Sequence, residues 1–257
     1  MPFETSGTRT PLWLILFPLA FLIAIWQLAS AAIPASNFFF SSPVRIIDAL
    51  WQLVLTGRIF ADAAVTVFEA CAGFLIGTLS GTLLGLSLWY WPAAAPIGRP
   101  YIIAISAIPP FALAPLLIVW FGIGIFAKVM VAALATVFVS VVQTYEGARS
   151  ADERHLRLVR ILGGSRWQEF RKVIVPTALQ WVATSMRLNV GFALTGAFIG
   201  EFISAERGLG YFIVRSAALF DMSRVLAGCI VMMIIALGLS SIVEFFASWI
   251  LRRRGSV

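Results

Sequence analysis

Few side chains in this sequence have types and spacing suited to chemistry. The chain contains one histidine, His155, and two cysteines, Cys71 and Cys229, which lie far apart. A single imidazole and two isolated cysteines predict no metal site and no disulfide framework. We interpret His155 as a surface residue and both cysteines as small buried apolar residues. An enzymatic function is disfavoured, because no cluster could hold a metal or activate a nucleophile.

Three ionisable residues, Glu69, Arg187 and Glu244, fall inside long apolar runs. Charges in such runs are costly at membrane depth, and they usually face the protein interior as ion pairs or line a cavity. We expect a structural ion pair, such as Glu69 with Arg187, in preference to direct contact with a substrate. Arg187 and the nearby Asn189 are also candidates for a translocation pathway, in which Arg187 would mildly favour an anion.

The elements that carry these residues are membrane spans. Of 257 residues, 60% are hydrophobic and 12% are charged, whereas about a quarter of the residues in soluble proteins are charged. A bilayer core needs roughly 20 apolar residues per helix. Six runs meet this requirement: residues 12–32, 63–90, 102–121, 125–144, 178–202 and 225–251. We predict an all-α membrane protein with six transmembrane helices, in which residues 1–257 form a single domain.

The basic residues predict the orientation, since short loops rich in lysine and arginine stay on the cytoplasmic side. With the N-terminus inside, twelve basic residues fall in cytoplasmic segments and six in outer ones, where Lys128 is counted as outer. Both termini are therefore predicted to be cytoplasmic, as is a loop over about residues 146–176. The apolar run of the first span is longer than that of a signal peptide, so we expect a retained helix.

Proline and glycine predict special features in two spans. The adjacent Pro109 and Pro110 should break the third span, and irregular backbone at membrane depth persists only where it is buried in protein or lines a wet cavity. This break, with Trp120 and Phe121 beyond it, is a candidate part of the pathway. In the second span, one helix face carries the four-residue repeat Gly73, Gly77, Gly81 and Gly85. That face lets another backbone approach closely, either within the chain or in a second subunit.

Two shorter helices are predicted outside the spans. Pro43–Thr56 reads as an amphipathic helix along the membrane surface. In the charged stretch RLVRILGGSRWQEFRKVIVP, Arg157–Pro176, a turn at Gly163-Gly164 should end one helix, and Ser165 should start another. Ser150 with Glu153, and Ser165 with Gln168, fit capping boxes.

The first helix of the charged stretch, roughly Asp152–Leu162, combines a cationic side with an apolar side. Arg154, Arg157 and Arg160 recur at every third position, and so do Leu156, Val159 and Leu162. Such a helix suits an anionic lipid surface or a groove in a protein. The rigid glycine turn favours the groove.

These motifs resemble those of a known family. Gly163, Val173 and Val175-Pro176 have the spacing of the second half of the cytoplasmic loop signature of ABC importer permeases. The EAA positions of that signature are Arg157-Leu158-Val159 here, so its acidic residue and both alanines are absent. Three stretches are similar to the branch that serves nitrate, sulfonate, taurine and bicarbonate: AIPPFALAPLLIVWFGIG (107–124), LGGSRWQEFRKVIVP (162–176) and RGLGYFI (207–213).

The resemblance implies a type I importer permease of the bacterial inner membrane, acting as a homodimer with its pathway near the dimer axis. Two ATP-binding subunits would dock on the charged loop, and a soluble or lipid-anchored binding protein would deliver a small solute, such as nitrate, a sulfonate or taurine. The implied docking residues are Asp152, Leu156, Arg157, Val159, Arg160, Gly163, Gly164, Ser165, Trp167 and Pro176.

The same resemblance implies that ATP and Mg are bound by the partner subunit, and that this chain carries no cofactor and is not itself catalytic. The sequence contains no glycine-rich phosphate loop ending in Gly-Lys-Ser or Gly-Lys-Thr. The alternative is a stand-alone secondary carrier or channel, which would need no ATPase.

Overall fold

The computed structural model describes residues 12–32, 40–91, 93–106, 108–204 and 206–252. These residues are mostly helical, and none of them lies in a strand. The chain divides into two compact units. One comprises Met1–Arg58 with Ile213–Cys229, and the other comprises Ile59–Phe212 with Ile230–Val257.

The first unit contains helices α1, Leu12–Ala32, and α2, Pro43–Leu55. The side chain of Ser42 caps α2 by accepting a hydrogen bond from the backbone N–H of Arg45, and Pro43 occupies the first helical turn. The amphipathic helix predicted over Pro43–Thr56 is confirmed to within one residue. Within this unit, the hydroxyl groups of Ser41 and Ser223 lie 2.8 Å apart.

The remaining helices follow in chain order, and the last two of them lie partly in each unit. They are α3 (Arg58–Tyr90), α4 (Ala94–Ser106), α5 (Pro110–Phe121), α6 (Ile125–Arg149), α7 (Glu153–Ile161), α8 (Arg166–Glu169), α9 (Val175–Ser204), α10 (Leu209–Ala218) and α11 (Met222–Arg252). A π-helical turn, Phe170–Ile174, joins α8 to α9.

Four stretches are long and apolar enough to cross a membrane: Arg58–Tyr90, Ile125–Arg149, Arg166–Ser204 and Met222–Ser248. The first and third predicted spans contain the shorter apolar helices Ala20–Ala32 and Phe111–Phe121. The predicted break at the proline pair is confirmed, because α4 ends at Ser106 and α5 begins at Pro110. Pro109 has φ −59° and ψ 128°, as expected for a residue that the next proline keeps out of the helical region.

The glycine face of α3 packs against α6 of the same chain. Successive glycines face the side chains of Ala132, Thr136, Ser140 and Thr144, which also repeat every four residues. A Cβ on Gly85 would lie only 2.7 Å from Cβ of Thr144. On α9, Gly196 meets the backbone of Ala132 in the same way. The glycine repeat of α3 was predicted to contact a helix either of the same chain or of a second subunit, and the structure shows the contact within the chain. Both α3 and α9 pack closely against α6.

Candidate functional site

The charged stretch forms a docking segment, which we define as α7, the glycine turn and α8. Asp152 caps α7, since its Oδ1 accepts a hydrogen bond of 2.8 Å from the backbone N–H of Arg154. The predicted capping box of Ser150 with Glu153 is wrong. Ser150 ends α6, where its N–H bonds the carbonyl of Glu146 and its hydroxyl bonds the carbonyl of Gly147. Asp152, and not Ser150, is the N-cap residue of α7.

The glycine turn has the predicted geometry. Gly163 takes φ +76° and donates its N–H to the carbonyl of Arg160, while Gly164 donates to the carbonyl of Val159. Gly164 needs to be small for a different reason, because a Cβ there would lie 2.7 Å from the Val159 carbonyl oxygen. The capping box of Ser165 with Gln168 is confirmed at the start of α8. Together these bonds define a rigid turn.

Only part of the predicted apolar side of α7 faces the rest of the chain. Leu156 and Val159 are half-buried, and Leu156 packs beside Ala148 and Ile174. Leu162 was predicted on the same side but is 77% exposed. A three-residue spacing shifts by about 60° per step around an α-helix, so the third member has turned away. Leu158, Ile161 and Leu162 instead form an exposed apolar set on the outer side of the segment.

Arginine side chains fix α7 and α8 in place. The guanidinium of Arg160 makes two hydrogen bonds to the buried carboxylate of Glu169, at 2.7 and 3.3 Å. This contact raises the pKa of Arg160. Arg166 donates to the carbonyl of Tyr90 at 2.7 Å, and the ring of Trp167 stacks on that of Phe170. Arg157 forms a surface pair with Glu153. The segment is thus a braced platform, not a freely solvated loop.

Pro176 lies inside a continuous helical path and does not end a helix. The stretch Arg166–Ser204 runs through α8, the π turn and α9. A proline ring displaces the carbonyl four residues earlier, which belongs to Lys172 in the π turn. The wider turn accommodates this displacement, since Val175 donates its N–H to the carbonyl of Phe170 five residues before it.

The intramembrane charges are paired differently from the prediction. Glu69 contacts Lys128, with Nζ and Oε1 2.9 Å apart and both side chains buried. Arg187 contacts Glu244 at 3.0 Å, with side chains 53% and 57% exposed. The expected pair of Glu69 with Arg187 is therefore wrong. Lys128 was counted as an outer residue, but it lies in the first turn of α6.

Sequence reasoning missed Glu201, near the end of α9, which is 1% exposed. The hydroxyl of Thr66 lies 2.6 Å from its Oε1, and the N–H of Gly210 donates to its Oε2 at 2.5 Å. Leu209 donates its N–H to the Thr66 hydroxyl at 2.9 Å. The sequence feature that could have indicated this contact is the Gly-Leu-Gly of RGLGYFI. It forms the turn that contacts Glu201, and Gly208 in it takes φ +114°.

The candidate pathway residues are not brought together. Asn189 is fully buried, and its Nδ2 donates to Thr78 and Ser140 at 3.1 and 2.7 Å. It therefore joins α9 to α3 and α6, and its place in a pathway stays a prediction. The side chains of Pro109, Trp120 and Phe121 are exposed in the single chain. Nothing is described of the side chain of Pro110.

The predictions for the single histidine and the two cysteines have different outcomes. His155 is exposed on α7, as predicted, and its Nδ1 lies 3.9 Å from Asp152. Cys71 is half-buried and Cys229 is exposed. The prediction that both cysteines are buried is wrong for Cys229, because it lies on an exposed side of α11, while the neighbouring Ala227 is buried.

Comparison with known proteins agrees with this architecture. The chain is 28% identical over 237 residues to the putative aliphatic sulfonates transport permease protein of Bacillus subtilis, covering 92% of this chain and 86% of that protein. It is 32% identical over 200 residues to the formylaminopyrimidine transport permease protein of Halalkalibacterium halodurans, covering 78% and 79%.

Among solved structures, a bacterial ABC transporter involved in the import of alginate matches over 94% of this chain and 96% of that one. Its TM-score is 0.61 at 14% sequence identity, so this likeness concerns the fold. Residues 73–256 match the family described as the inner membrane component of binding-protein-dependent transport systems. Since the match covers more than half of the sequence, the chain belongs to this family of inner-membrane permeases.

Proposed function

We propose that this chain is the permease of an ATP-driven importer, in which two copies of the chain form the pathway and two ATP-binding subunits dock on the docking segment. ATP and Mg are then held by those subunits, and a soluble or lipid-anchored binding protein delivers the solute. The observation that carries this proposal is the exposed apolar set, Leu158, Ile161 and Leu162, on a helix whose other side is braced. Three exposed aliphatic residues on a short rigid helix are suited to a partner's groove.

The orientation follows from the same proposal. If the docking segment is cytoplasmic, then the ends of α3, α6 and α9 remote from it are external. Both chain termini are then cytoplasmic, in agreement with the distribution of basic residues. Residues 1–11 and 253–257 lie outside the described residues, so this assignment depends on the helices between them.

Transport is proposed to occur by alternating access, with the helices passing the movement of the ATP-binding subunits to the pathway. The path from α8 to α9 extends over 39 residues, or about 58 Å at 1.5 Å per residue. It connects the docking segment to the opposite end of the membrane part. Because α6 is in close contact with both α9 and α3 at glycine residues, we expect a movement of α9 to move α6 and α3 as well.

We place the pathway along the side of α9 that carries the pair of Arg187 with Glu244. Hydrocarbon is a poor environment for a charged pair that is more than half exposed. Small and polar residues, Thr184, Gly191 and Thr195, are also exposed on α9. A small anion, such as a sulfonate, is the proposed solute. The related protein named for aliphatic sulfonates supports this class.

Copurification tests the docking proposal. We expect wild-type chain extracted with mild detergent to bring down a stoichiometric ATP-binding subunit. A double change, Ile161→Asp with Leu162→Asp, should abolish this recovery, because it places two charges in an apolar contact. Glu153→Ala is the matched control on another side of α7 and should leave recovery unchanged. If the chain is recovered alone and moves solute in liposomes without ATP, the stand-alone carrier is correct and the proposal fails.

A further inference from the structure

A buried polar cluster lies at the end of the helices remote from the docking segment. It contains Glu69 from α3, Lys128 from the first turn of α6 and Glu201 from the last turn of α9. Each of these residues is at most 5% exposed. Two carboxyl groups and one ammonium group are therefore enclosed together, and buried charges are tolerated only when they are paired.

The hydrogen bonds in this cluster leave a place for a proton on Glu201. Its Oε1 lies 2.6 Å from the Thr66 hydroxyl and its Oε2 lies 2.5 Å from the Gly210 nitrogen, and neither partner carries a charge. The Thr66 hydroxyl also lies 3.2 Å from the carbonyl oxygen of Asp62, to which it can donate. Since a hydroxyl both donates and accepts, the Thr66 oxygen can then accept a proton carried by Oε1 of Glu201.

Charge balance leads to the same assignment. Lys128 neutralises one of the two carboxylates, and its 2.9 Å contact shows that this carboxylate is Glu69. A second negative charge on Glu201 would be buried without an ion-pair partner among the described residues. Asp62, half-buried on α3, also lies at this end, and its Oδ1 accepts from the N–H of Gly208 at 3.1 Å. Arg58, Glu206 and Arg207 lie at this end too, with exposed side chains.

Glu201 also holds the turn that starts α10. Its carboxyl group accepts from the backbone of Gly210, while Thr66 accepts from the backbone of Leu209. A Cβ on Gly210 would come within 2.9 Å of Cβ of Glu201, so the turn lies directly on this side chain. The position of the turn therefore depends on the placement of Glu201.

We infer that Glu201 carries a buried proton, and that in this neutral form it is a positioning residue that fastens residues 208–212 to α3. The turn is external under the orientation proposed above, and only that assignment depends on the proposed function. Loss of the proton would place two carboxylates beside one lysine and would loosen the turn. The cluster thus couples protonation to the position of the start of α10.

Infrared spectroscopy of the purified complex tests the proton directly. We expect the carbonyl band of a protonated carboxylic acid at neutral pH in the wild type, and its loss in Glu201→Gln, whose amide oxygen can accept from Gly210 while its amide nitrogen donates to Thr66. Glu206→Gln, an exposed change five residues along the chain, is the matched control and should retain the band. Absence of the band in the wild type, or its persistence in Glu201→Gln, would overturn the inference.

Amide hydrogen exchange tests the positioning role. In the wild type, the protection of residues 208–212, corrected for intrinsic exchange, should fall about tenfold as rising pH removes the proton, which matches the loss of one hydrogen bond. Glu201→Gln should keep its protection over the same pH range. A variant as pH-sensitive as the wild type would refute the role, and the wild-type titration decides the question even if the variant does not fold. Because neither experiment requires transport, failure of the proposed function would not alter these results.

Discussion

Replacing Gly81 with alanine would test how closely α3 approaches α6. An added methyl carbon would lie 2.5 Å from both Cβ of Ser140 and the carbonyl oxygen of Val137. Since carbon atoms pack best at about 3.5–4.0 Å, the helices would have to separate by roughly 1 Å. Both atoms belong to α6, and the backbone there cannot shift unless the whole helix shifts. Overpacking of this kind costs about 1–3 kcal/mol.

The matched control is Gly238→Ala on α11, where an added Cβ would have nothing within 4 Å. Alanine is favoured over glycine in a helix by about 0.8–1.0 kcal/mol, and this gain applies at both positions. Only Gly81 also suffers the clash. We therefore expect the two variants to differ in stability by about 1–3 kcal/mol, with Gly238→Ala the more stable.

The assay is thermal unfolding of the purified variants in one detergent, followed by tryptophan fluorescence. Gly238→Ala should raise the Tm above that of the wild type, and Gly81→Ala should fall clearly below Gly238→Ala. If the two substitutions raise the Tm equally, the helices are farther apart than the structure shows. The account of the glycine stripe as a close helix contact would then be refuted.

Two further predictions concern the docking segment and the buried charges. Gly163→Val should reduce recovery of the ATP-binding subunit, because a β-branched residue resists the φ of +76°; normal recovery and transport would contradict the rigid platform. Lys128→Met should lower the yield of folded protein sharply, because an unpaired buried Glu69 costs about 3–5 kcal/mol. Arg187→Met should retain a yield near that of the wild type, since its pair with Glu244 is half exposed; equal yields would contradict the distinction between the two pairs.

Local chemistry made several helix boundaries predictable, although not the start of α7. A residue before a proline is kept out of the helical region, as Pro109 is, and the capping box of Ser165 needs only neighbours within the same turn. The positive φ of Gly163 also follows from a local pattern. Each of these features depends on residues close in sequence, so no knowledge of the tertiary structure was required.

The pairing of charges was not predictable, because it depends on which helices are neighbours. Glu69 and Lys128 are 59 positions apart, and only the packing of α3 on α6 brings them together. The glycine repeat predicted a close contact but could not identify α6 as the partner. Lys128 and Glu201 fall inside the predicted spans 125–144 and 178–202 but close to their ends, so they were not recognised as buried charges.

Close contacts around α6 connect the docking segment and the buried polar cluster through packed helices. At its first turn α6 supplies Lys128, whose backbone and side chain lie against Gly200 of α9, one residue before Glu201. At its far end, Gly147 of α6 meets the side chain of Trp181 on α9. Both ends of α6 are therefore in contact with the helix that continues from the docking segment. Under the proposed function, we expect a displacement of the docking segment to move α9 together with α6, since the close glycine contacts at both ends oppose sliding of one helix past the other; the displacement would then reach the buried polar cluster.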